Sequence, residues 1–215
     1  MILDPATLER PVLSGLMNGL VAPRPIAWVA TIGTSGVANL APFSFFNCFS
    51  AYPYPTVGIG PGARSGIDKD TLANCRATGE LAISMVSEEL AERANACSAE
   101  FDEGVDEWTV AGVTRAASET IAPPWVAASP AAFECRVHEI VDLGSDELPS
   151  NALVIARVVR IHVRDEALDE GLRPRADVLR LVGRGGRDDW IRTADRFELR
   201  RPSSVDPAEV AASLR

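Results

Sequence analysis

RPIAWVATIGTSGVANLAPFSFFNCFS, residues 24–50, is the most informative stretch of the sequence. Its first part, residues 26–32, alternates apolar side chains on both faces, which predicts a strand. Residues 33–36, Gly-Thr-Ser-Gly, predict a hairpin turn because two glycines bracket small polar residues. A second strand returns over residues 37–41. Pro42 has no N–H to donate, so we expect this strand to end or bulge there.

The residues just after Pro42 combine polar and aromatic side chains. Ser44, Asn47 and Ser50 are spaced three apart among four phenylalanines. We expect an irregular segment with free backbone N–H groups and flat apolar faces. Such a segment suits a planar heterocycle that carries carbonyls and ring nitrogens. Taken alone, the pattern is more typical of a strand end whose polar groups cap their own backbone.

Composition and charge limit the class of protein. The 215 residues are 47% hydrophobic, which is typical of a globular protein with a substantial core. The net charge of −9 argues against nucleic acid or an anionic membrane as a partner. No apolar run reaches transmembrane length, and the acidic, polar N-terminus is unlike a signal peptide. Four widely spaced cysteines without a Cys-x-x-Cys pair predict buried free thiols and a cytoplasmic location.

A helix is predicted within ARSGIDKDTLANCRATG, residues 63–79. Ser65, Asp68 and Asp70 are the candidate N-cap residues, and Gly79 is the expected end.

Lys69, Asp70 and Thr71 lie at or near the start of this helix. Lys69 is the single lysine among 21 basic residues. Unpaired backbone N–H groups, a hydroxyl and an ammonium together predict an anion site suited to phosphate. Ordinary helix capping beside a solvent-exposed lysine is the alternative.

The remaining elements alternate between strands and helices. Residues 80–86 predict a strand, and Ser87 is expected to cap a helix that has Asn95 and Ser98 near its end. Residues 133–143 and 153–163 predict two half-buried antiparallel strands.

Two groups of titratable side chains are expected to lie at the surface. His138 and His162 stand on polar strand faces between arginines, so we interpret both as surface or interface residues. The loop after the helix that begins at Ser87 carries four carboxylates without the spacing of a calcium site, and we expect a solvated loop. They are Asp102, Glu103, Asp106 and Glu107.

The order of elements favours a mainly β fold, a closed or partly closed antiparallel β-barrel with inserted helices. At least six strands follow one another at short intervals, separated by Gly/Pro turns. A short helix over residues 4–10 and a loop over residues 11–23 should precede them.

Two better-known enzyme signatures are rejected. Gly58 to Ala63 matches a dinucleotide fingerprint, but Pro61 and Gly62 oppose a helix at this position, and no second βαβ unit follows. No G-x-S-x-G elbow occurs, and only two histidines are available for a hydrolase triad.

Six stretches in register resemble the flavin reductase-like family with the FMN-binding split-barrel fold, specifically its flavoredoxin-like branch. They are RPIAWVATIGTSGVANLAPFSFFN, KDTLANCRATGE, LAISMVSEELAERANACSAEFDEGVDEW, SPAAFECRV, NALVIARVVRIHV and LVGRGGRDDWIRTADRFELRRP. The resemblance covers residues 10–202. It implies one split-barrel domain over residues 1–215 with a C-terminal extension from about residue 166, and a homodimer that binds FMN non-covalently.

The resemblance also implies a set of FMN-binding residues. Ser44, Phe45 and Asn47 would contact the isoalloxazine ring, whereas Lys69, Asp70 and Thr71 would bind the phosphate. Asn95, Ser98 and Ala99 would form a further wall, and Arg184 would belong to a closing loop. Trp190 departs from the tyrosine expected after this loop, and Cys48 is unusual beside Asn47. Both departures bear on substrate preference more than on FMN binding.

The implied activity is that of an FMN-dependent oxidoreductase. NAD(P)H would pass a hydride to N5 of FMN, and electrons would continue to free flavin, oxygen or an acceptor protein. No catalytic side chain is expected, because the cofactor supplies the chemistry.

Two alternatives stay open. The protein could carry electrons through FMN without a nicotinamide site of its own, or the barrel could hold deazaflavin, haem or no ligand.

Overall fold

Strands dominate the chain. The computed structural model describes residues 1–52, 54, 56–60, 68–99, 101, 105–144, 151–203 and 206–212. The strands are β1 Arg24–Pro25, β2 Ala27–Ile32, β3 Ala38–Phe43, β4 Phe46–Ser50, β5 Thr56–Ile59, β6 Glu80–Met85, β7 Arg115–Ala116, β8 Trp125–Val126, β9 Ala131–Asp142, β10 Ala152–Val163, β11 Val182–Arg184 and β12 Trp190–Arg192. The α-helices are α1 Arg10–Leu20, α2 Asp70–Thr78, α3 Ala91–Ala96, α4 Glu107–Ala111, α5 Ala176–Leu179 and α6 Pro207–Ala212. None of these helices is long and apolar enough to cross a lipid bilayer.

A curled seven-stranded antiparallel sheet forms a half-barrel. Its strand order is β3-β2-β6-β9-β10-β5-β4, and β1, β11 and β12 form a separate three-stranded sheet. The prediction of a mainly β split barrel with inserted helices is therefore confirmed.

Strand β2 is apolar on both faces because each face packs into a different core. Trp28 and Ala30 join a core that α3 and α4 cover. Ala27 and Val29 face the opposite core, which α2 covers with Leu72. The apolar residues on both faces of this segment thus reflect a strand that is buried on both sides.

The predicted hairpin is present, but its second strand is longer than expected. The Gly33 N–H donates to the Val37 carbonyl, and Gly36 has a φ of +81°. β3 continues through Pro42, which pairs with Trp28. The expected break was wrong because β3 is the edge strand of the sheet, where a residue without an N–H is tolerated.

The polar and aromatic segment is also more regular than expected. Phe46 to Ser50 form β4, which pairs with β5 and has a register shift between Cys48 and Ser50. Only Ser44 and Phe45 separate it from β3.

The N-terminal region differs from the prediction. Asp4 caps a 3-10 helix, Pro5–Thr7, rather than a longer helix. The expected loop over residues 11–23 is instead mostly α1, which buries none of its side chains. Apolar residues at 13, 16, 17 and 20 do recur at helical spacing, so the sequence contained a one-sided pattern that the prediction of a loop overlooked.

The helix predicted within residues 63–79 agrees closely with α2. It ends at Gly79, which adopts the left-handed conformation with a φ of +70°. Lys69 occupies the N-cap position. Ser65, one of the candidate caps, lies outside the described residues, as do Asp102 and Glu103 of the carboxylate loop.

His162 is a correction to the surface interpretation of both histidines. Its Nε2 lies 2.6 Å from Oε1 of the fully buried Glu134, and its ring stacks on Trp125. His138 is exposed as expected. Among the cysteines, Cys48 is exposed, whereas the other three are buried free thiols.

Gly183 allows β1 and β11 to approach closely. A Cβ at Gly183 would lie 2.9 Å from the Arg24 carbonyl oxygen and 3.1 Å from the Pro23 Cβ. We expect Gly183→Ala to destabilise the protein by about 2 kcal/mol, measured by thermal unfolding, because backbone atoms must shift. Gly15→Ala in α1 is the control, since its Cβ meets nothing within 4 Å and a helix favours alanine. Equal unfolding temperatures for the two variants would contradict this prediction.

Candidate functional site

Two neighbouring cavities lie where the end of β3 meets the start of α2 and the end of α3. The polar cavity has a volume of about 340 Å³, and its lining includes Asn39, Phe43, Lys69, Thr71, Ser98 and Glu107. The aromatic cavity has a volume of about 200 Å³, and its lining includes Ile26, Phe43, Ser44, Asn95, Arg184 and Trp190. Pro42, Phe43 and Ser98 line both, so the cavities lie side by side.

Most of the residues predicted from the sequence line these cavities. They are Ser44, Lys69, Asp70, Thr71, Asn95, Ser98, Ala99 and Arg184. Segments far apart in the sequence are thus brought together.

Phe45 and Asn47 are not among the lining residues. The Phe45 side chain is 55% exposed, although its carbonyl accepts a hydrogen bond from the Gly60 N–H. Asn47 lies exposed on β4, where its side-chain oxygen accepts from the Cys48 N–H.

The start of α2 gives the polar cavity its positive end. The Lys69 carbonyl accepts from the N–H groups of Leu72 and Ala73, which fixes the first turn of the helix. The N–H groups of this first turn point away from the helix body, toward any ligand placed there. The Lys69 Nζ lies 5.8 Å from the centroid of the Phe43 ring. An ammonium and a helix start therefore converge beside an aromatic face.

Asn39 and Glu107 were missed as site residues. The Asn39 side chain is 2.9 Å from the Thr71 hydroxyl, and one carboxylate oxygen of Glu107 accepts from the Leu40 N–H over 3.4 Å. Burial, together with the negative charges of Asp70 and Asp106, raises the pKa of Glu107 above its usual value. The expectation of a solvated carboxylate at Glu107 was therefore wrong. Its position depends on α4 packing against β3, which no local pattern reveals.

Arg24 is a third residue that sequence reasoning missed. It is 7% exposed, and its guanidinium donates to the carbonyls of Val21 and Gly185 over 2.8 and 3.0 Å. Its Nε also donates to the Ser44 hydroxyl over 3.4 Å. Burial, and then the positive charge of Arg184, lower the pKa of Arg24. Arg24 thereby connects Ser44 with the loop that follows β11.

Arg184 and Trp190 form one wall of the aromatic cavity. They face each other across the β11–β12 pair, with the guanidinium carbon 5.2 Å from the Trp190 ring centroid. Arg184 also donates to the Arg187 carbonyl over 2.6 Å. The described residues that line this cavity include a cation, hydroxyls and an amide, but no carboxylate. This combination suits a flat ligand that carries hydrogen-bond acceptors at its edge.

The end of α3 separates the aromatic cavity from a third, outer cavity. The Ser98 hydroxyl donates to the Asn95 carbonyl over 2.6 Å, so its lone pairs remain as acceptors. Asn95 and Trp190 line both the aromatic cavity and the outer cavity, which has a volume of about 300 Å³. Glu88 in the outer cavity forms ion pairs with Arg180 and Arg192. A second ligand would therefore have space beside the first.

Comparisons with known proteins agree with this architecture. A model of the flavin reductase like domain matches residues 18–180. A protein of Deinococcus radiodurans is 37% identical over 194 residues, which cover 86% of this chain and 83% of that protein.

Solved structures show the same arrangement over nearly the whole chain. Nitrilotriacetate monooxygenase component B from Bacillus cereus has a TM-score of 0.88 at 28% identity, covering 93% of this chain and 98% of that one. The 2-nitrobenzoate 2-nitroreductase NbaA of Pseudomonas fluorescens has a TM-score of 0.85 at 32% identity, covering 97% of this chain and 100% of that one. Flavoredoxin of Desulfovibrio vulgaris shares the fold at a TM-score of 0.70 and 16% identity, covering 83% of this chain and 91% of that one.

The family model spans most of the chain, and the Deinococcus relative exceeds the identity at which homology is clear. The resemblance inferred from the six sequence stretches is confirmed. This chain belongs to the flavin reductase-like family.

Proposed function

We propose that this protein binds FMN non-covalently in the polar and aromatic cavities and acts as an NAD(P)H-dependent oxidoreductase. The observation that carries the proposal is that the start of α2 and the ammonium of Lys69 lie in one cavity, beside an aromatic cavity whose described lining residues include no carboxylate. FMN has the same two-part character, with a phosphate at one end and a planar ring at the other. Membership of the flavin reductase-like family supports a flavin rather than another planar ligand.

Each part of the site has a distinct task in this proposal. Lys69 and the first-turn N–H groups of α2 would hold the phosphate. Phe43 and Trp190 would pack against the ring, whereas Ser44 and Arg184 would donate hydrogen bonds to ring carbonyls. The positive charge of Arg184, next to the buried Arg24, would favour negative charge on the ligand.

Bound FMN would supply the redox chemistry by accepting a hydride at N5 and passing electrons on. The protein would bind, orient and shield the ring, and it would need no acid or base of its own. The outer cavity, which adjoins Trp190, provides space for the nicotinamide co-substrate. The similarity to a nitroreductase and to a monooxygenase component also supports an oxidoreductase.

A homodimer is part of the proposal. Phe45, Phe49 and Tyr52, on and beside β4, are 55%, 61% and 88% exposed. Such an apolar edge strand is a typical protein–protein contact. A dimer that covers β4 would place Phe45 and Asn47 at the interface. Sedimentation equilibrium should give twice the chain mass, and a monomer at micromolar concentration would contradict this part.

The functional test begins with the absorption spectrum of the purified protein and acid release of any chromophore. We expect FMN, or stoichiometric binding of added FMN, followed by oxidation of NADH or NADPH. Bound FMN without NAD(P)H oxidation would favour the electron-carrier alternative. A colourless protein that does not bind added FMN would overturn the proposal.

A further inference from the structure

Thr71, Asn39 and Glu107 form a short chain of polar side chains along one wall of the polar cavity. One end of the Asn39 amide lies 2.9 Å from the Thr71 Oγ1, and the other end lies 3.2 Å from the Glu107 Oε1. An amide has an oxygen that accepts and a nitrogen that donates, with nearly the same shape. Hydrogen bonding therefore decides which end faces which neighbour.

Ionised Glu107 favours one orientation of this amide. A carboxylate only accepts, so the Asn39 nitrogen must face Glu107 and the Asn39 oxygen must face Thr71. The Thr71 hydroxyl then donates to the Asn39 oxygen over 2.9 Å. In this state the single hydroxyl hydrogen of Thr71 is bound to Asn39, so it is not available to a ligand in the cavity.

Protonated Glu107 favours the opposite orientation. Its O–H can donate to the Asn39 oxygen, and the Asn39 nitrogen then donates to the Thr71 Oγ1 over 2.9 Å. The Thr71 hydroxyl hydrogen is released from Asn39 and can donate to an anion in the cavity. Thr71 sits in the first turn of α2, where an anion would also meet backbone N–H groups.

We propose that Asn39 and Glu107 are positioning residues that couple anion binding in the polar cavity to the uptake of one proton by Glu107. The Asn39 amide and the Thr71 hydroxyl transmit the coupling. The inference rests on the proposed function, because it takes the anion to be the phosphate of FMN.

The charges around Glu107 are compatible with proton uptake. Burial and the carboxylates of Asp70 and Asp106 raise the pKa of Glu107. Charged and titratable groups approach from α2, from α3 and from the helix of Glu107 itself. They are Asp68, Lys69, Asp70, Cys97, Asp106 and its ion-pair partner Arg115. Burial raises the pKa of Cys97 to about 11, so this thiol remains neutral across the tested range.

The test is the dissociation constant of FMN between about pH 5.5 and 8.5, for the wild type and for Glu107→Gln. Glutamine donates to the Asn39 oxygen at every pH, so the variant should keep the Thr71 hydroxyl available. We expect about tenfold tighter binding by the variant at the alkaline end, and we expect this advantage over the wild type to shrink as the pH falls. The comparison cancels the titration of the FMN phosphate itself. Parallel pH profiles would overturn the proposal.

Thr71→Val separates this coupling from direct repulsion between Glu107 and the phosphate. Without the hydroxyl, adding Glu107→Gln should no longer change the pH profile. A pH effect that persists in the Thr71→Val background would overturn the coupling in favour of direct repulsion. Riboflavin, which lacks the phosphate, should show no Glu107-dependent effect, and an equal effect would also overturn the proposal. A wild-type protein that binds neither flavin would overturn the proposed function itself.

Discussion

Replacing Glu134 with alanine is expected to lower the free energy of unfolding by about 3 kcal/mol. Glu134 is fully buried, and its carboxylate accepts from the N–H groups of Glu119 and Thr120 over 2.7 and 2.8 Å. The Thr120 hydroxyl and the His162 Nε2 donate at 2.5 and 2.6 Å. Alanine would leave these donors without their acceptor and release the loop they hold. Thermal unfolding should show a midpoint lower by roughly 10 °C.

Glu119→Gln is the matched control for this loss. Glu119 belongs to the same loop, but its side chain is 65% exposed and pairs with Arg160 over 3.1 Å. An exposed ion pair contributes little, so we expect a change within about 0.5 kcal/mol. Similar losses in the two variants would show that Glu134 does not anchor the loop as its hydrogen bonds indicate.

The same carboxylate should make stability depend on acid pH. Burial alone would raise the pKa of Glu134, but the hydrogen bonds from Thr120, Glu119 and His162 outweigh it and lower the pKa to about 2. Because the pKa of Glu134 is lower in the folded protein than its ordinary value of 4.5, the ionised carboxylate stabilises the fold fully above pH 4.5. This stabilisation is lost as the pH falls toward 2. Denaturant unfolding between these values should therefore show wild type losing stability relative to Glu134→Gln. Equal losses of stability in the wild type and in Glu134→Gln would contradict the lowered pKa of Glu134.

Local signals were sufficient for the hairpin and for α2. Gly36 and Gly79, with φ of +81° and +70°, each mark a backbone position that other residues adopt with strain, and they lie at the hairpin turn and at the end of α2. Pro42 misled because its effect depends on whether the strand is central or at an edge. Strand order is a tertiary property, so no reading of residues 37–43 alone could decide it.

The same limit applies to the candidate site. Lys69 and Thr71 were predicted because a helix start is visible in contiguous sequence, and both line the polar cavity. Glu107, Arg24 and Glu134 each have hydrogen-bond partners in chain segments that are distant in sequence. Contacts between secondary-structure elements reveal the roles of these three residues, and neither composition nor periodicity indicates such contacts.

Replacing Lys69 with alanine should weaken FMN binding by about 10- to 100-fold if the proposed phosphate site is right. Lys69 is the one lysine of the chain, and the polar cavity around it also contains the carboxylates of Asp68, Asp70 and Glu107. Without the ammonium, a phosphate dianion would face three acidic side chains, and the described residues that line this cavity include no other cation to compensate for them. Titration of the apoprotein with FMN, followed by flavin fluorescence, measures the effect.

Riboflavin and Lys69→Arg make this prediction specific to charge at the phosphate end. Riboflavin has the same ring but no phosphate, so Lys69→Ala should change its affinity by less than about threefold. Lys69→Arg keeps the positive charge and should retain most of the FMN affinity. Equal losses for both flavins would mean that Lys69 supports the ring, for example through its position 5.8 Å from the Phe43 ring centroid. Unchanged FMN affinity in Lys69→Ala would move the phosphate away from α2, and the assignment of the polar cavity would fail with it.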